Sequence, residues 1–215
     1  MSRDRPSIHL SKGLEIGYKR PLARFETSVT LQNGTHFLLG RNGRGKTTLL
    51  RTIAGSLKPV GGKVDSTGFT QYLPEDIRFD AEMNAAWIFR SLIAKPRRET
   101  AMALAKKIEL DVRKPFGRLS TGNRRKVTLI AAEFSTRPGQ GNILLLDEPF
   151  SGLDAFSRQA FEEHWAATDD NVLRLVSCHP DYDSMRISSA ILIDGASIRH
   201  LQGEKTWDEL KNLLN

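Results

Sequence analysis

A glycine-rich stretch early in the chain has the residue types and spacing that bind phosphate. Its residues are Gly40, Arg41, Asn42, Gly43, Arg44, Gly45, Lys46, Thr47 and Thr48. They fit the pattern G-x-x-x-x-G-K-[ST], which sits between a strand and a helix. Glycine lets backbone N–H groups close around phosphate oxygens, because no Cβ stands in the way. The stretch therefore predicts a phosphate loop at residues 40–48.

Three side chains of the phosphate loop carry specific expectations. We expect the Lys46 ammonium to contact the β- and γ-phosphates of a nucleotide, and the Thr47 hydroxyl to bind Mg²⁺. Thr48 is expected to reach an inner phosphate. Residues 35–39 predict a short buried strand before the loop, and residues 47–54 predict a helix after it. A chance match is the alternative until companion motifs follow in order.

Two adjacent carboxylates follow a continuous apolar run later in the chain. Residues 142–146 read Asn-Ile-Leu-Leu-Leu, which is typical of a strand covered on both faces in a parallel sheet. The carboxyl ends of such strands are where these folds bind ligands. We expect Asp147 to hold Mg²⁺, usually through water, opposite Thr47. We expect Glu148 to accept a proton from an attacking water. A pair of acids that serves only solubility is the less favoured alternative.

Four further positions carry weaker signals, each with a structural alternative. Tyr18, at a strand end ahead of the phosphate loop, is a candidate to stack on adenine, although an edge-strand tyrosine is the simpler interpretation. Ser120 can cap a helix, and Gly122 leaves the start of that helix open to an anionic partner. His179 follows the predicted strand 172–177 and is a candidate γ-phosphate contact. A lone histidine at a strand end is more often structural.

The remaining pattern predicts the elements that position these residues. Residues 8–39 alternate apolar and polar side chains with turn signals, which predicts antiparallel strands joined by hairpins, and another hairpin is predicted from residues 61–64. Apolar spacing becomes helical at residues 83–90 and again at 102–108, which predicts a small helical insert. Residues 155–167 predict an amphipathic helix.

Composition limits the class of protein. The 215 residues suffice for one sizeable core with a subdomain. The single cysteine, Cys178, excludes a disulfide framework and suits a reducing cytosol. The first residues lack the apolar core of a secretory signal, and the sequence has no run of about 18 apolar residues. We therefore expect that the chain does not itself cross a membrane.

Positive charge is concentrated in one region of a chain whose formal charge is +7. The stretch from Lys95 to Lys126, here called the basic region, has eleven basic and three acidic side chains, a net charge of +8. Such a region suits nucleic acid, anionic lipid or an acidic protein loop. Solvated faces of short helices explain it equally well, so these alternatives stay open.

The order of the motifs resembles that of nucleotide-binding subunits of the ATP-binding cassette (ABC) family. The resemblance depends on the phosphate loop, Leu-Ser-Thr-Gly-Asn at 119–123, Leu-Leu-Asp-Glu-Pro at 145–149, Ser-Gly-Leu-Asp at 151–154, and His179. It covers almost the whole chain, from Tyr18 to residues 193–195. It implies one α/β domain over residues 1–215, with a P-loop NTPase (RecA-like) core, an antiparallel β subdomain and a helical subdomain at about 76–133.

The resemblance also implies a mechanism. Family members work as head-to-tail dimers that enclose two ATP molecules, so Ser120 and Gly122 would face the γ-phosphate held by the other subunit. Glu148 would activate the water and His179 would hold the γ-phosphate. Asp154 would couple the two sites across the interface.

Two departures from the family pattern concern the site. Residues 119–123 replace the usual Leu-Ser-Gly-Gly-Gln, but the serine and the second glycine are kept. Glu75 stands where the family commonly has the glutamine that links the Mg²⁺ site to the membrane partner. A carboxylate there loses the amide donor and adds negative charge near phosphate, so we expect a modified role. The segment 76–118 is where family members receive the coupling helices of a membrane subunit.

We therefore expect an ATPase that uses ATP and Mg²⁺ to power a membrane transporter from the cytoplasmic face of the membrane. Its expected partners are a separate transmembrane permease and a second nucleotide-binding subunit, identical or closely related. The alternative is a soluble ABC ATPase acting on nucleic acid or ribosomes, which only the basic region supports. Those relatives usually carry two cassettes or a long coiled-coil insert, whereas the gap from Thr48 to Leu119 is compact. Nucleic acid is thus not the expected partner.

Overall fold

The chain alternates between two structural units. A computed structural model describes residues 5–168, 171–178, 187–206 and 209–210. The first unit, here called the α/β unit, lies within residues 1–72, 139–148 and 171–215. The second, the helical unit, lies within residues 73–138 and 149–170. The chain therefore leaves the α/β unit twice and returns to it twice.

The described part of the α/β unit contains two sheets and a flanking helix. The strands are β1 (Ser7–Leu10), β2 (Glu15–Gly17), β3 (Pro21–Phe25), β4 (Val29–Leu31), β5 (Gly34–Gly40), β6 (Val64–Thr67), β7 (Phe69–Leu73), β8 (Asn142–Leu146), β9 (Val172–Ser177), β10 (Ile187–Asp194) and β11 (Ser197–Lys205). The larger sheet has the order β2-β3-β11-β10-β5-β9-β8-β7, and the smaller has the order β4-β1-β6. Helix α1 (Lys46–Ile53) follows β5, and both sheets and α1 contribute to one apolar core.

The centre of the larger sheet is parallel, which brings the ends of its strands to one edge. Strands β10, β5, β9 and β8 pair in parallel. Strands β8 and β9 are buried along their whole length, as expected for strands covered on both faces. The phosphate loop after β5 and the acids after β8 therefore lie along the same edge, where ligands of such sheets bind.

The predicted hairpins of the N-terminal region are only partly correct. Strands β2 and β3 pair as antiparallel neighbours, and β1 pairs antiparallel with both β4 and β6. Two other turns do not join paired strands, since β4 and β6 lie in the smaller sheet while β5 and β7, which follow them, lie in the larger. The second half of β5 is fully buried, and its parallel neighbours β9 and β10 come from distant sequence.

The helical unit contains four helices among its described residues. They are α2 (Ala85–Leu92), α3 (Arg98–Lys107), α4 (Thr121–Phe134) and α5 (Ala155–Ala167), with 3₁₀ turns at Lys95–Arg97 and Phe116–Arg118. The predicted helical segments 83–90, 102–108 and 155–167 correspond to α2, α3 and α5. In the part of the chain that the structure describes, none of the helices is long and apolar enough to span a membrane. The predicted domain limits, 1–215 and about 76–133, stay predictions.

Part of the basic region stabilises the fold of the helical unit. Arg125 and Lys126 are buried, with 6% and 7% of their surface exposed. Several cations of the region donate to backbone carbonyls: Arg98 to Ile93 (2.8 Å), Arg124 to Gly117 (2.7 Å) and Lys126 to Ile108 (2.9 Å). Ile93 and Ile108 cap the C-terminal ends of α2 and α3, where carbonyls lack helical partners. The region is therefore not simply a solvated basic surface.

Candidate nucleotide-binding site

The phosphate loop has a backbone that suits an anion. Gly43 and Gly45 have φ angles of 74° and 105°, in the left-handed region that favours glycine. A Cβ at Gly45 would also come within 2.8 Å of Leu22 Cδ2. Gly45 is the N-cap of α1; none of the described side chains caps this helix, and its first turn holds no acidic residue. The unpaired N–H groups and positive dipole end of α1 therefore fit phosphate oxygens.

Lys46 connects the phosphate loop to the acids after β8. Its side chain is buried, and Nζ donates to the Gly40 carbonyl at 2.9 Å. The same nitrogen lies 3.3 Å from Glu148 Oε1. Gly40 ends β5 and Glu148 follows β8, so the ammonium joins the ends of two strands at the same sheet edge. A phosphate group would compete with these two oxygens for the ammonium.

Asp147 is almost fully buried, with 2% of its surface exposed. Both of its carboxylate oxygens accept hydrogen bonds, Oδ1 from Ser177 Oγ at 2.9 Å and Oδ2 from the Tyr72 hydroxyl at 3.0 Å. Burial of the phenol, together with the charge of Asp147, raises the pKa of Tyr72 to about 12. Tyr72 therefore stays protonated at neutral pH and keeps its donor. Each carboxylate oxygen has a second lone pair, so Asp147 can still accept from a water.

Glu148 has a left-handed backbone with φ of 46°, which is uncommon for a residue other than glycine. Its N–H donates to Ser177 Oγ at 2.8 Å. This turn separates the two acids, since Asp147 contacts Tyr72 and Ser177 while the Glu148 carboxylate lies beside Lys46. Strained backbone conformations of this kind cluster at functional sites.

The oxygens at this sheet edge fit Mg²⁺. Asp147 offers a buried carboxylate at the end of β8, and Thr47 offers a hydroxyl in the first turn of α1. Mg²⁺ prefers hard oxygen ligands and usually binds through one or two carboxylates, phosphates and several waters. Within the described ranges, no group of three or more His, Cys, Asp and Glu side chains gathers in one place. The donors therefore fit Mg²⁺ bound partly by substrate and water.

Tyr18 lies next to β2 with 68% of its surface exposed. Its hydroxyl is close enough to Arg51, which lies on α1, to affect the pKa of that guanidinium. Hydrogen bonding to Tyr72 and, more weakly, to Tyr18 raises the pKa of Arg51. The ring of Tyr18 is accessible to a nucleobase, and adenine stacking stays a prediction.

The remaining side chains of the phosphate loop are either exposed or buried. Arg41, Asn42 and Arg44 are exposed, and the Arg44 N–H donates to the Arg41 carbonyl at 3.2 Å. Thr48 is buried, and its carbonyl accepts from Thr52 Oγ1 at 2.8 Å. Nucleotide contacts by these side chains stay predictions.

Ser120 and Gly122 begin α4 of the helical unit. Ser120 is the N-cap, and its Oγ accepts from the Asn123 N–H at 3.3 Å, so the predicted cap is confirmed. Gly122 lies against the backbone of Gly152, since a Cβ at Gly122 would come 2.5 Å from the Gly152 carbonyl oxygen. Both residues thus have a role within the helical unit, and their predicted contact with ATP stays a prediction.

Asp154 is the N-cap of α5. Its Oδ1 accepts from the Ser157 N–H at 2.7 Å, and its Oδ2 lies 3.2 Å from Lys126 Nζ. The hydrogen bond from the Ser157 backbone and the nearby Lys126 ammonium lower the pKa of Asp154 to about 2. This cap was not predicted, although an aspartate directly before a helical pattern is a known signal.

We expect Asp154→Ala to lower the free energy of unfolding by about 1 kcal/mol, the usual cost of losing an N-cap. The folded-state pKa lies below the ordinary value of 3.8, so the carboxylate stabilises the fold above that pH and loses its effect as pH falls towards 2. Urea unfolding should therefore show a difference from wild type that shrinks as pH drops from about 5 to about 3. Asp65→Ala, at an exposed aspartate of β6, is the control. A difference that does not change with pH would contradict the assignment.

Two predicted site residues remain. Glu75 is exposed in the helical unit and lines a cleft with Thr121, Arg124 and Ser151. Its predicted link to the Mg²⁺ site is untested. His179 lies outside the described residues, so its predicted γ-phosphate contact also stays a prediction.

Comparison with known proteins decides the family. The family model described as ABC transporter matches residues 26–151, more than half of the chain. This chain belongs to the ABC transporter family. ATP-binding subunits of ABC transporters are ATPases, and the matched region is the domain that they share.

Relatives of this ABC domain include transporter components of several kinds. The aliphatic sulfonates import ATP-binding protein SsuB 1 of Rhodococcus jostii is 30% identical over 84% of this chain and 76% of its own length. The cytochrome c biogenesis ATP-binding export protein CcmA of Zymomonas mobilis is 34% identical over 59% of this chain and 57% of its own length. The mouse ABC-type organic anion transporter ABCA8B is 29% identical over 80% of this chain, which spans only 12% of that protein.

Solved structures share the fold of this ABC domain. An ATP-binding subunit of an ABC transporter superposes with a TM-score of 0.70 over 97% of this chain and 92% of its own length, at 20% identity. A bacterial Atm1-family ABC exporter with ATP bound gives a TM-score of 0.72 over 100% of this chain and 41% of its own length, at 18% identity. The predicted α/β fold with a P-loop NTPase core is confirmed.

Two residues of the ABC domain that sequence analysis did not single out complete the contacts of the acids. Ser177 donates to Asp147 and accepts from the Glu148 N–H. Its signal was a polar residue at the end of an otherwise mostly apolar strand. Tyr72 gave no signal, because an aromatic residue in a strand is usually interpreted as packing.

Proposed function

We propose that this chain is the ATP-binding and ATP-hydrolysing part of an ABC membrane transporter. One observation carries the proposal: Lys46 of the phosphate loop lies 3.3 Å from Glu148, directly beside the buried Asp147, at the carboxyl edge of a parallel sheet. A phosphate-binding cation and two acids in different surroundings are what phosphoryl transfer to water requires. Family membership makes ATP the substrate that fits.

The chain's residues divide the chemistry between them. The amides of the phosphate loop and Lys46 hold the phosphates, and Thr47 and Asp147 would hold Mg²⁺. When bound, Mg²⁺ neutralises charge on the β- and γ-phosphate oxygens. Glu148 takes a proton from the attacking water. The water oxygen bonds to the γ-phosphorus, and the bond between the γ-phosphorus and the β–γ bridging oxygen breaks. The products are ADP and inorganic phosphate.

Two subunits would assemble head to tail around ATP. In this arrangement the capped start of α4, with Ser120 and Gly122, meets the nucleotide held by the partner's phosphate loop, and Asp154 couples the sites. The mate is a second copy or a close paralogue. A separate transmembrane permease would anchor the pair at the cytoplasmic face of the membrane. Relatives named as ATP-binding subunits for import and for export support transport without deciding its direction.

Two measurements test this function. The purified chain should release phosphate from ATP in the presence of Mg²⁺, and a chelator should stop the release. A tagged chain extracted from its cells with detergent should co-purify with a membrane protein. Recovery of nucleic acid with salt-sensitive affinity, without a membrane protein, would favour the soluble ABC ATPase instead.

A further inference from the structure

The geometry points to Tyr72 as a positioning residue that holds the Asp147 carboxylate in the orientation that Mg²⁺ requires. The inference rests on the proposed function, because it assigns Asp147 to the metal. It adds a residue from β7 that lies outside the phosphate loop and both acids. Tyr72 acts through Asp147 and is not itself a ligand.

The hydrogen bonds around Asp147 determine the plane of its carboxylate. Tyr72 donates to Oδ2 at 3.0 Å and Ser177 donates to Oδ1 at 2.9 Å. Because each oxygen has its own donor, rotation of the carboxylate would break both hydrogen bonds. The donors come from β7 and β9, two strands of the same sheet as β8. Asp147 is therefore oriented before any metal binds.

The ring and the hydroxyl of Tyr72 have different surroundings. Its ring packs against the apolar core of the α/β unit. The charge of Arg51 on α1 acts on the Tyr72 hydroxyl, which donates to Asp147 Oδ2. The phenol thus bridges a cation and a carboxylate. A cation on the far side of a phenol favours donation of its proton to a carboxylate.

Contacts of this kind tune metal sites in general. Groups that hydrogen bond to a metal-binding carboxylate orient it, and their loss commonly lowers metal affinity by about 10- to 100-fold. The competing explanation is that Tyr72 and Asp147 only stabilise the sheet. The two explanations predict different effects on ATP binding. Loss of a positioning residue changes the metal-dependent part of ATP binding, whereas loss of a structural residue does not.

The test compares Tyr72→Phe with its parent in a Glu148→Gln background, where hydrolysis does not interfere. ATP affinity is measured in excess Mg²⁺ and in EDTA, and the ratio gives the gain due to the metal. Tyr72→Phe keeps the ring and removes only the hydroxyl. We expect the gain to fall about tenfold while the affinity in EDTA stays unchanged.

A matched control and a second variant keep the test decisive. Thr30→Val removes a hydroxyl that contacts His9 in the smaller sheet, and it should leave the gain unchanged. Arg51→Gln keeps the Tyr72 phenol and removes the exposed guanidinium near its hydroxyl. It should lower the gain by about threefold, the scale of an exposed charge contact.

The remaining outcomes separate failure of the inference from failure of the proposed function. An equal gain in Tyr72→Phe and its parent would overturn the inference and leave the proposed function intact. Equal losses in Mg²⁺ and in EDTA would also overturn it, since they indicate a structural role. Failure of the wild-type chain to bind ATP would overturn the proposed function and the inference together.

Discussion

The Glu148→Gln variant is expected to hydrolyse ATP about 10²- to 10⁴-fold more slowly than the wild-type chain, the usual contribution of a general base. An amide cannot accept the proton of the attacking water. Glutamine has the same shape, so the hydrogen bond from the backbone N–H to Ser177 and the left-handed turn are kept. Release of inorganic phosphate with time measures the effect.

The same variant should bind ATP at least as tightly as wild type. Lys46 Nζ lies 3.3 Å from Glu148 Oε1, so the carboxylate competes with phosphate for the ammonium. The amide removes that competition. ATP should then hold two subunits together, which light scattering would record as a doubled mass.

Glu109→Gln is the matched control for Glu148→Gln. Glu109 is an exposed glutamate that also has a left-handed backbone, with φ of 56°. Its replacement should leave turnover unchanged. Wild-type turnover in Glu148→Gln would reject the base assignment. Slow turnover without an ATP-dependent dimer would support Glu148 as the general base and contradict head-to-tail assembly.

Lys46→Ala is expected to weaken ATP binding by about 10- to 100-fold. Hydrogen bonds to charged groups contribute about 1.5–3 kcal/mol, and each 1.4 kcal/mol changes affinity tenfold. Lys46 is 7% exposed, so little water is available to replace the lost ammonium. Titration with a fluorescent ATP analogue in EDTA isolates this effect from that of Mg²⁺.

The Lys46→Ala result needs a stability measurement beside it. The substitution also removes the hydrogen bond to the Gly40 carbonyl and the ion pair with Glu148, so some loss of folding stability is expected. Urea unfolding without nucleotide would measure that loss separately. Lys58→Ala, at an exposed lysine after α1, should change neither property. Unchanged ATP affinity in a folded Lys46→Ala protein would contradict the proposed role of Lys46 in holding the phosphates.

Local patterns in the sequence were sufficient to predict the phosphate loop, the buried strand before Asp147 and the helices α2, α3 and α5. These features depend on glycine spacing, on continuous apolarity and on helical periodicity. All three act over a few neighbouring residues. The predicted cap at Ser120 succeeded for the same reason, because its partner, the Asn123 N–H, is only three residues away.

Tertiary structure decided the features that depend on distant partners. The sequence predicts β5 as a buried strand, but only pairing with β9 and β10 places it in the larger sheet. Likewise, the sequence shows Lys126 only as one charge of the basic region, and its hydrogen bond to the Ile108 carbonyl is known only from the tertiary structure. Tyr72 meets Asp147 across 75 positions of sequence. Such contacts form only when the whole chain packs, so no local pattern encodes them.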